Sequence, residues 1–131
     1  FMSRKVLVGA VALLTSVVTG CATGPTINDL WDQAMAVHEA KDWVNASSAW
    51  RRYIARHNEV YPGIESGTDA AYYNLALSEQ ARGDDQSALD AARNSFVLDP
   101  SEQKTAALVI RLANRLGQMS VAEETKRETA I

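Results

Sequence analysis

The chain has 131 residues, of which 47% are hydrophobic and 22% are charged, close to the average for globular proteins. This composition excludes an intrinsically disordered chain and a protein with several membrane spans. All 16 acidic residues follow Cys21, whereas Arg4 and Lys5 precede it, so the part after Cys21 has an excess of five acidic side chains. An acidic domain of this kind is not expected to bind nucleic-acid phosphates.

The first predicted element is a short hydrophobic segment. Arg4 and Lys5 are followed by an apolar run over residues 6–18, in which Thr15 and Ser16 are the polar members. A basic start and an apolar run of this length are typical of an export signal peptide. A membrane-spanning helix needs about 17–25 apolar residues, which is longer than this run. We therefore predict a signal peptide over residues 1–20.

The segment ends in Val18-Thr19-Gly20-Cys21, which resembles the lipobox of bacterial lipoproteins: an aliphatic residue, two small residues and a cysteine. The resemblance implies that the Cys21 thiol receives a diacylglycerol, that the chain is cut before Cys21, and that acyl chains hold the protein at a membrane. Ala22 at the next position implies transport to the outer membrane, on its periplasmic side. The alternatives are an uncleaved anchor or a buried helix with a chance cysteine.

A linker and one further domain follow the signal segment. Residues 21–26 are predicted to be the acylated cysteine and a linker, because Gly24 and Pro25 interrupt helices. Residues 27–131 are predicted to be a single helical domain. Its apolar residues recur three and four positions apart, which is typical of helices with one buried side.

The domain contains a repeated pattern of small residues and turns. In three segments a small or apolar residue precedes an alanine by twelve positions: Ala34 and Ala46, Ala76 and Ala88, Ile110 and Ala122. A polar turn lies between the members of each pair: Lys41-Asp42, Gly83-Asp84, Gly117-Gln118. The second and third alanines are 34 residues apart, and the first and second are 42 apart. This spacing predicts three helical hairpins with an insertion at about residues 58–68.

The pattern resembles the tetratricopeptide repeat, a helix-turn-helix unit of 34 residues. The middle unit matches the family spacing at seven positions: Tyr72, Leu75, Ala76, Gly83, Ala88, Leu98 and Pro100. The resemblance implies an all-α fold, a tetratricopeptide-like right-handed stack of about three helical hairpins (an α-α superhelix). A four-helix bundle would share the hydrophobic period but would not predict the 34-residue repeat.

In tetratricopeptide arrays the first helices of successive units line a groove that binds a peptide or a helix of a partner protein. By this resemblance the groove residues are Trp31, Met35 and His38 from the first unit, Tyr73, Leu77 and Gln80 from the second, and Lys104, Arg111, Asn114 and Arg115 from the third. Such a groove suits a partner with an apolar anchor and an acidic end. The family's carboxylate clamp is matched only in part, since Met35 stands where an asparagine is expected. For Arg111 and Arg115 a solvated helix face is the alternative.

Two further surfaces have alternative interpretations. The basic stripe Arg51, Arg52 and Arg56 on the second helix is either a solvated face or a contact with lipid head groups or cell wall. The insertion offers a second contact surface, or else packs inward, through three apolar side chains: Val60, Tyr61 and Ile64.

The sequence has no pattern typical of catalysis or metal binding. The two histidines, His38 and His57, and the single cysteine lack the spacing of a zinc site or a catalytic triad. We expect no enzymatic activity, cofactor, metal or small-molecule substrate. The predicted function is a lipid-anchored adaptor that assists assembly of an envelope machine such as a pilus, secretion or cell-wall complex. The alternatives are a permanent structural subunit and a peptidoglycan-binding or enzyme-regulating lipoprotein.

Overall fold

A computed structural model describes residues 24–64 and 67–129. Over these residues the chain forms six α-helices and no strand: α1 Ile27–Glu39, α2 Trp43–Val60, α3 Asp69–Ala81, α4 Asp85–Leu98, α5 Gln103–Arg115 and α6 Met119–Thr129. In this part of the chain no helix has both the length and the hydropathy needed to cross a membrane. The predicted signal peptide and Cys21 lie outside the described residues.

Each helix packs mainly against its neighbours in the chain. Helices α1 and α2, α3 and α4, and α5 and α6 form hairpins, and contacts of α2 with α3 and of α4 with α5 join one hairpin to the next. The connections within the hairpins are only three residues long, so the paired helices run antiparallel. Contacts that follow chain order are typical of stacked hairpins rather than of a closed bundle. The predicted all-α stack of helical hairpins is confirmed.

The three hairpins close through the same turn. The second residue after each first helix, Lys41, Gly83 or Gly117, has a left-handed backbone, with φ of 60°, 89° and 73°. In each turn the next backbone N–H donates to the carbonyl five residues earlier, over 3.0, 2.9 and 2.8 Å. This is the Schellman arrangement, which satisfies carbonyl groups that a helix end leaves without partners. The shared turn gives the three helix pairs the same local geometry at the point where the chain reverses.

Small residues lie at matching places in the hairpins. The five alanines of the repeat pattern have no exposed surface: Ala34, Ala46, Ala76, Ala88 and Ala122. A methyl group in such a position lets two helix backbones approach more closely than a larger side chain would. Ile110, which takes the corresponding position in α5, is half-buried and packs against the core.

An ion pair joins each hairpin to the next. Arg51 Nη2 of α2 lies 2.7 Å from Glu79 Oε2 of α3, and Arg82 Nη1 lies 3.2 Å from the other carboxylate oxygen. Glu79 is almost completely buried, so its charge requires these partners. Between the second and third hairpins, Arg115 Nη2 of α5 lies 2.9 Å from Asp85 Oδ2 of α4. These pairs add charged contacts across the two junctions of the stack.

The shared turn leads to a test of backbone strain. Gly83→Ala is expected to lower the free energy of unfolding by about 1–2 kcal/mol, the typical cost of a left-handed residue that has a Cβ. A Cβ at this position would meet no other atom within 4 Å, so the loss comes from the backbone rather than from a clash. Urea unfolding followed by circular dichroism measures the change.

Lys41→Gly is the matched variant, because Lys41 already has a side chain on a left-handed backbone. It is expected to raise the free energy of unfolding by less than about 1 kcal/mol, since glycine removes the strain but gains freedom in the unfolded chain. Equal losses in the two variants would contradict the assignment of the same turn to both hairpins.

Candidate functional site

The first helices of the three hairpins border a common cavity of about 240 Å³. Residues from α1, α3 and α5 line it, together with one residue of α4 and the residue before α5: Trp31, Met35, Asp69, Ala70, Tyr73, Asn74, Ser95, Glu102, Lys104 and Thr105. Four of the predicted groove residues therefore lie around one cavity: Trp31, Met35, Tyr73 and Lys104. Because the lining comes from all three hairpins, the cavity exists only when the hairpins are stacked.

Trp31 forms an aromatic wall of the cavity. Its ring centroid lies 5.0 Å from that of Trp50 and 5.2 Å from that of Tyr53, with interplanar angles of 72° and 68°. Trp50 and Tyr53 are buried in the core, whereas Trp31 is half-buried. Edge-to-face pairs of this kind stabilise a ring orientation beyond the effect of buried area. Trp31 is thus held in place from within while part of its surface borders the cavity.

The other side of the cavity combines an aromatic ring with charged groups. Lys104 Nζ lies 4.9 Å from the centroid of the Tyr73 ring, a cation–π contact. Asp69 and Glu102 also line the cavity, although they are not among the predicted groove residues. Asp69 is the first residue of α3 and Glu102 directly precedes α5. An acidic residue at the start of two successive first helices is the sequence feature that could have indicated them.

His38 lies outside this cavity, within the first hairpin. The Trp50 indole Nε1–H donates to His38 Nδ1 over 3.2 Å, and the His38 ring lies edge-to-face with Trp43 at 5.1 Å. Burial lowers the pKa of His38 below 6.5, and the nearby Glu39 carboxylate opposes this shift. The neutral imidazole is also the form that the hydrogen bond requires, because Nδ1 must accept it.

The remaining predicted groove residues lie farther along α3 and α5. Leu77 and Gln80 are half-buried, and neither lines the cavity. Asn114 and Arg111 are exposed. Arg115 contacts Asp85 in the ion pair between hairpins.

Arg111 extends the basic side of the groove. It follows Lys104 by seven residues, so it lies about 10 Å farther along the same face of α5. Arg111 has no ion-pair partner among residues 24–64 and 67–129. Its guanidinium is therefore available to a group outside these residues.

The basic stripe of α2 is divided among different contacts. Arg51 contacts the buried Glu79, and Arg56 Nη1 lies 3.3 Å from Glu59 Oε1 on the same helix. Arg52 is exposed. Since two of the three guanidinium groups contact carboxylates, the stripe does not form one continuous cationic surface.

A scan against protein-family models and a search of curated protein sequences both gave no match to this chain. Within the described part of the chain, no three His, Cys, Asp or Glu side chains are grouped so that they could hold a metal ion. The fold and the cavity together define a stack of three helical hairpins with an aromatic groove along its first helices.

The contact of His38 with Trp50 leads to a pH prediction. Because the pKa of His38 is lower in the folded chain than in the unfolded chain, the unfolded chain binds more protons between these two pKa values. The free energy of unfolding therefore rises with pH in this range. The stability that neutral His38 contributes is lost as pH falls through its unfolded pKa of about 6.5 toward its lower pKa in the folded chain.

His38→Gln removes the titrating group and keeps a side chain that can accept a hydrogen bond. Urea unfolding at about pH 7.5 and about pH 5.5 brackets the unfolded histidine pKa. The difference between the two free energies of unfolding is expected to be smaller in His38→Gln than in the wild type. The same difference in both proteins would show that His38 does not contribute to the pH dependence.

Proposed function

We propose that the protein is a lipid-anchored adaptor of the bacterial cell envelope, related to tetratricopeptide proteins, that binds a protein partner in the groove between α1, α3 and α5. The observation that carries this proposal is the cavity in which Trp31, Met35 and Tyr73 meet beside Lys104. Apolar pockets with a few charged groups at their edge are the usual form of a recognition site. Aromatic residues and arginine also dominate the energetics of protein interfaces.

The lining residues indicate the chemistry of the partner segment. An apolar side chain of the partner fits between Trp31, Met35 and Tyr73, where it loses contact with water. Asp69 and Glu102 at the same cavity disfavour an acidic group there. The acidic part of the partner therefore lies farther along α5, toward Arg111. With three hairpins the groove is short, which favours modest affinity.

The sequence around Cys21 supports the membrane anchor. The lipobox-like residues Val18 to Cys21 follow a basic and then apolar segment, and Thr26 caps the first helix only five residues after the cysteine. We infer that two or three acyl chains on Cys21 hold the helical domain at the membrane, with Ala22 favouring the outer membrane and the periplasmic side. Assistance to a pilus, secretion or cell-wall complex is an analogy from fold and anchor.

A permanent structural subunit is the second candidate function. Its contact would include Val97 on α4, which is apolar and 73% exposed, although one exposed apolar residue does not by itself define an interface. A subunit that packs through this face of the second helices would leave the groove empty. Binding to peptidoglycan through the α2 arginines is less favoured, because Arg51 and Arg56 already contact carboxylates.

A site-specific crosslink distinguishes the groove from the surface around Val97. A photoreactive residue in place of Ala70 is expected to form an adduct with one envelope protein in the native cell, because Ala70 is exposed and lines the cavity. The same residue in place of Val97 is the control. Arg111→Glu in the Ala70 background is expected to lower the yield of adduct at least about tenfold, since it places a like charge opposite the acidic part of the partner. Immunoblotting and mass spectrometry of the adduct measure both effects.

Two outcomes would contradict the groove proposal. An adduct from the Val97 position and none from the Ala70 position would favour the structural subunit. An adduct from Ala70 that Arg111→Glu leaves unchanged would show that the acidic part of the partner does not lie along α5.

The lipid anchor has a separate test. Metabolic labelling with a fatty-acid probe is expected to mark the wild-type protein and not Cys21→Ser, because the acyl chain is attached through the cysteine sulfur. Cys21→Ser is also expected to keep its signal peptide and to migrate more slowly on a denaturing gel. Undiminished labelling of Cys21→Ser would refute the anchor without affecting the groove.

A further inference from the structure

The end of the first hairpin carries a cluster of exposed apolar side chains. Helix α2 ends at Val60, and the chain then turns, with the Ile64 N–H donating to the Tyr61 carbonyl over 3.0 Å. The exposed fractions of Val60, Tyr61 and Ile64 are 42%, 47% and 53%. About half of the surface of each of these residues is therefore open to solvent. Single exposed apolar residues are common on protein surfaces, but three within five residues indicate a contact surface.

This cluster lies beside the place where the linker enters the fold. A cavity of about 440 Å³ is bordered by Thr26, Ile27 and Asn28 at the start of α1, and by Val60 and Tyr61 at the end of α2. Thr26 follows Cys21 by five residues, and five residues of extended chain span at most about 18 Å. If Cys21 carries acyl chains, the cluster cannot lie far from the surface of the bilayer.

The residues of the cluster suit the boundary between lipid and water. Tyrosine is enriched at this boundary because it has an apolar ring and a polar hydroxyl. The Tyr61 ring lies 5.2 Å from the buried His57 ring, which supports it from within. Arg56, which also borders the cavity, lies 3.3 Å from Glu59, so the nearest charges largely offset each other.

We propose that Val60, Tyr61 and Ile64 insert into the interfacial region of the phospholipid bilayer and orient the domain on the membrane. This inference rests on the proposed lipid anchor at Cys21. In this orientation the end of α2 points toward the membrane and its start points away. Val44, near the start of α2, is 16 residues before Val60 and therefore about 24 Å away along the helix axis.

The test uses the full acylated chain, purified from membranes and reconstituted into phosphatidylethanolamine and phosphatidylglycerol vesicles. The fluorophore NBD is attached in Ile64→Cys, and in Val44→Cys as the control, because Val44 is 61% exposed near the other end of α2. Acylation blocks the Cys21 sulfur, so the introduced cysteine is the thiol that reacts. Lipids with a nitroxide near the head group are expected to quench NBD at position 64 at least about twofold more than at position 44.

A second variant separates insertion from simple proximity. Val60→Ser with Tyr61→Ser in the Ile64→Cys background is expected to reduce the quenching at position 64, because the anchor then keeps this position near the bilayer without inserting it. Both side chains are exposed, so the helical circular dichroism spectrum should be unchanged. Unchanged quenching would show that the cluster does not drive insertion.

The controls distinguish failure of this inference from failure of the anchor. Equal quenching at positions 64 and 44, in protein that floats with the vesicles, would overturn the orientation and leave the anchor intact. Protein that carries no acyl chain and does not float would overturn the anchor, and the orientation with it.

Discussion

The close approach of two helices within each hairpin is the constraint on which the rest of the structure depends. Alanines without exposed surface lie in both helices of the first two hairpins, at Ala34, Ala46, Ala76 and Ala88. Their methyl groups allow the helix backbones to come near each other. The left-handed turn adds the second condition, because it reverses the chain while satisfying the last carbonyl groups of the first helix. Hairpins built in the same way can then stack with similar surfaces in contact.

Stacking produces the groove, which no single hairpin contains. Trp31, Tyr73 and Lys104 come from three different hairpins and meet around one cavity. Trp31 is also held in place by its contacts with Trp50 and Tyr53. A site that is ordered in advance loses less conformational entropy when it binds. The packing that stabilises the first hairpin therefore also orders the groove in which we propose that a partner binds.

Several polar side chains that a linear sequence presents as surface groups belong to the interior contacts. Glu79 is a buried carboxylate between two hairpins, and Arg51 from the preceding helix contacts it. His38 accepts the indole N–H of Trp50 and remains within its own hairpin. Burial of a charge or a donor is unfavourable without a partner. These pairings consequently help to fix the position of one helix against the next. Because these side chains already have partners within the fold, they are not available to bind a ligand.

The sequence by itself determined the helices, the hairpins and the places of their turns, because these depend on local chemistry that repeats along the chain: apolar spacing, small residues and polar turn residues. It also indicated the first helices as the sides of a groove. Only the tertiary structure decided which side chains border the cavity, since it placed Asp69 and Glu102 there and engaged Arg115 with Asp85. The physical reason is that helical periodicity defines the face of a side chain but not its partner on another helix. That partner depends on the distance and offset between hairpins, which are set only when the whole core packs.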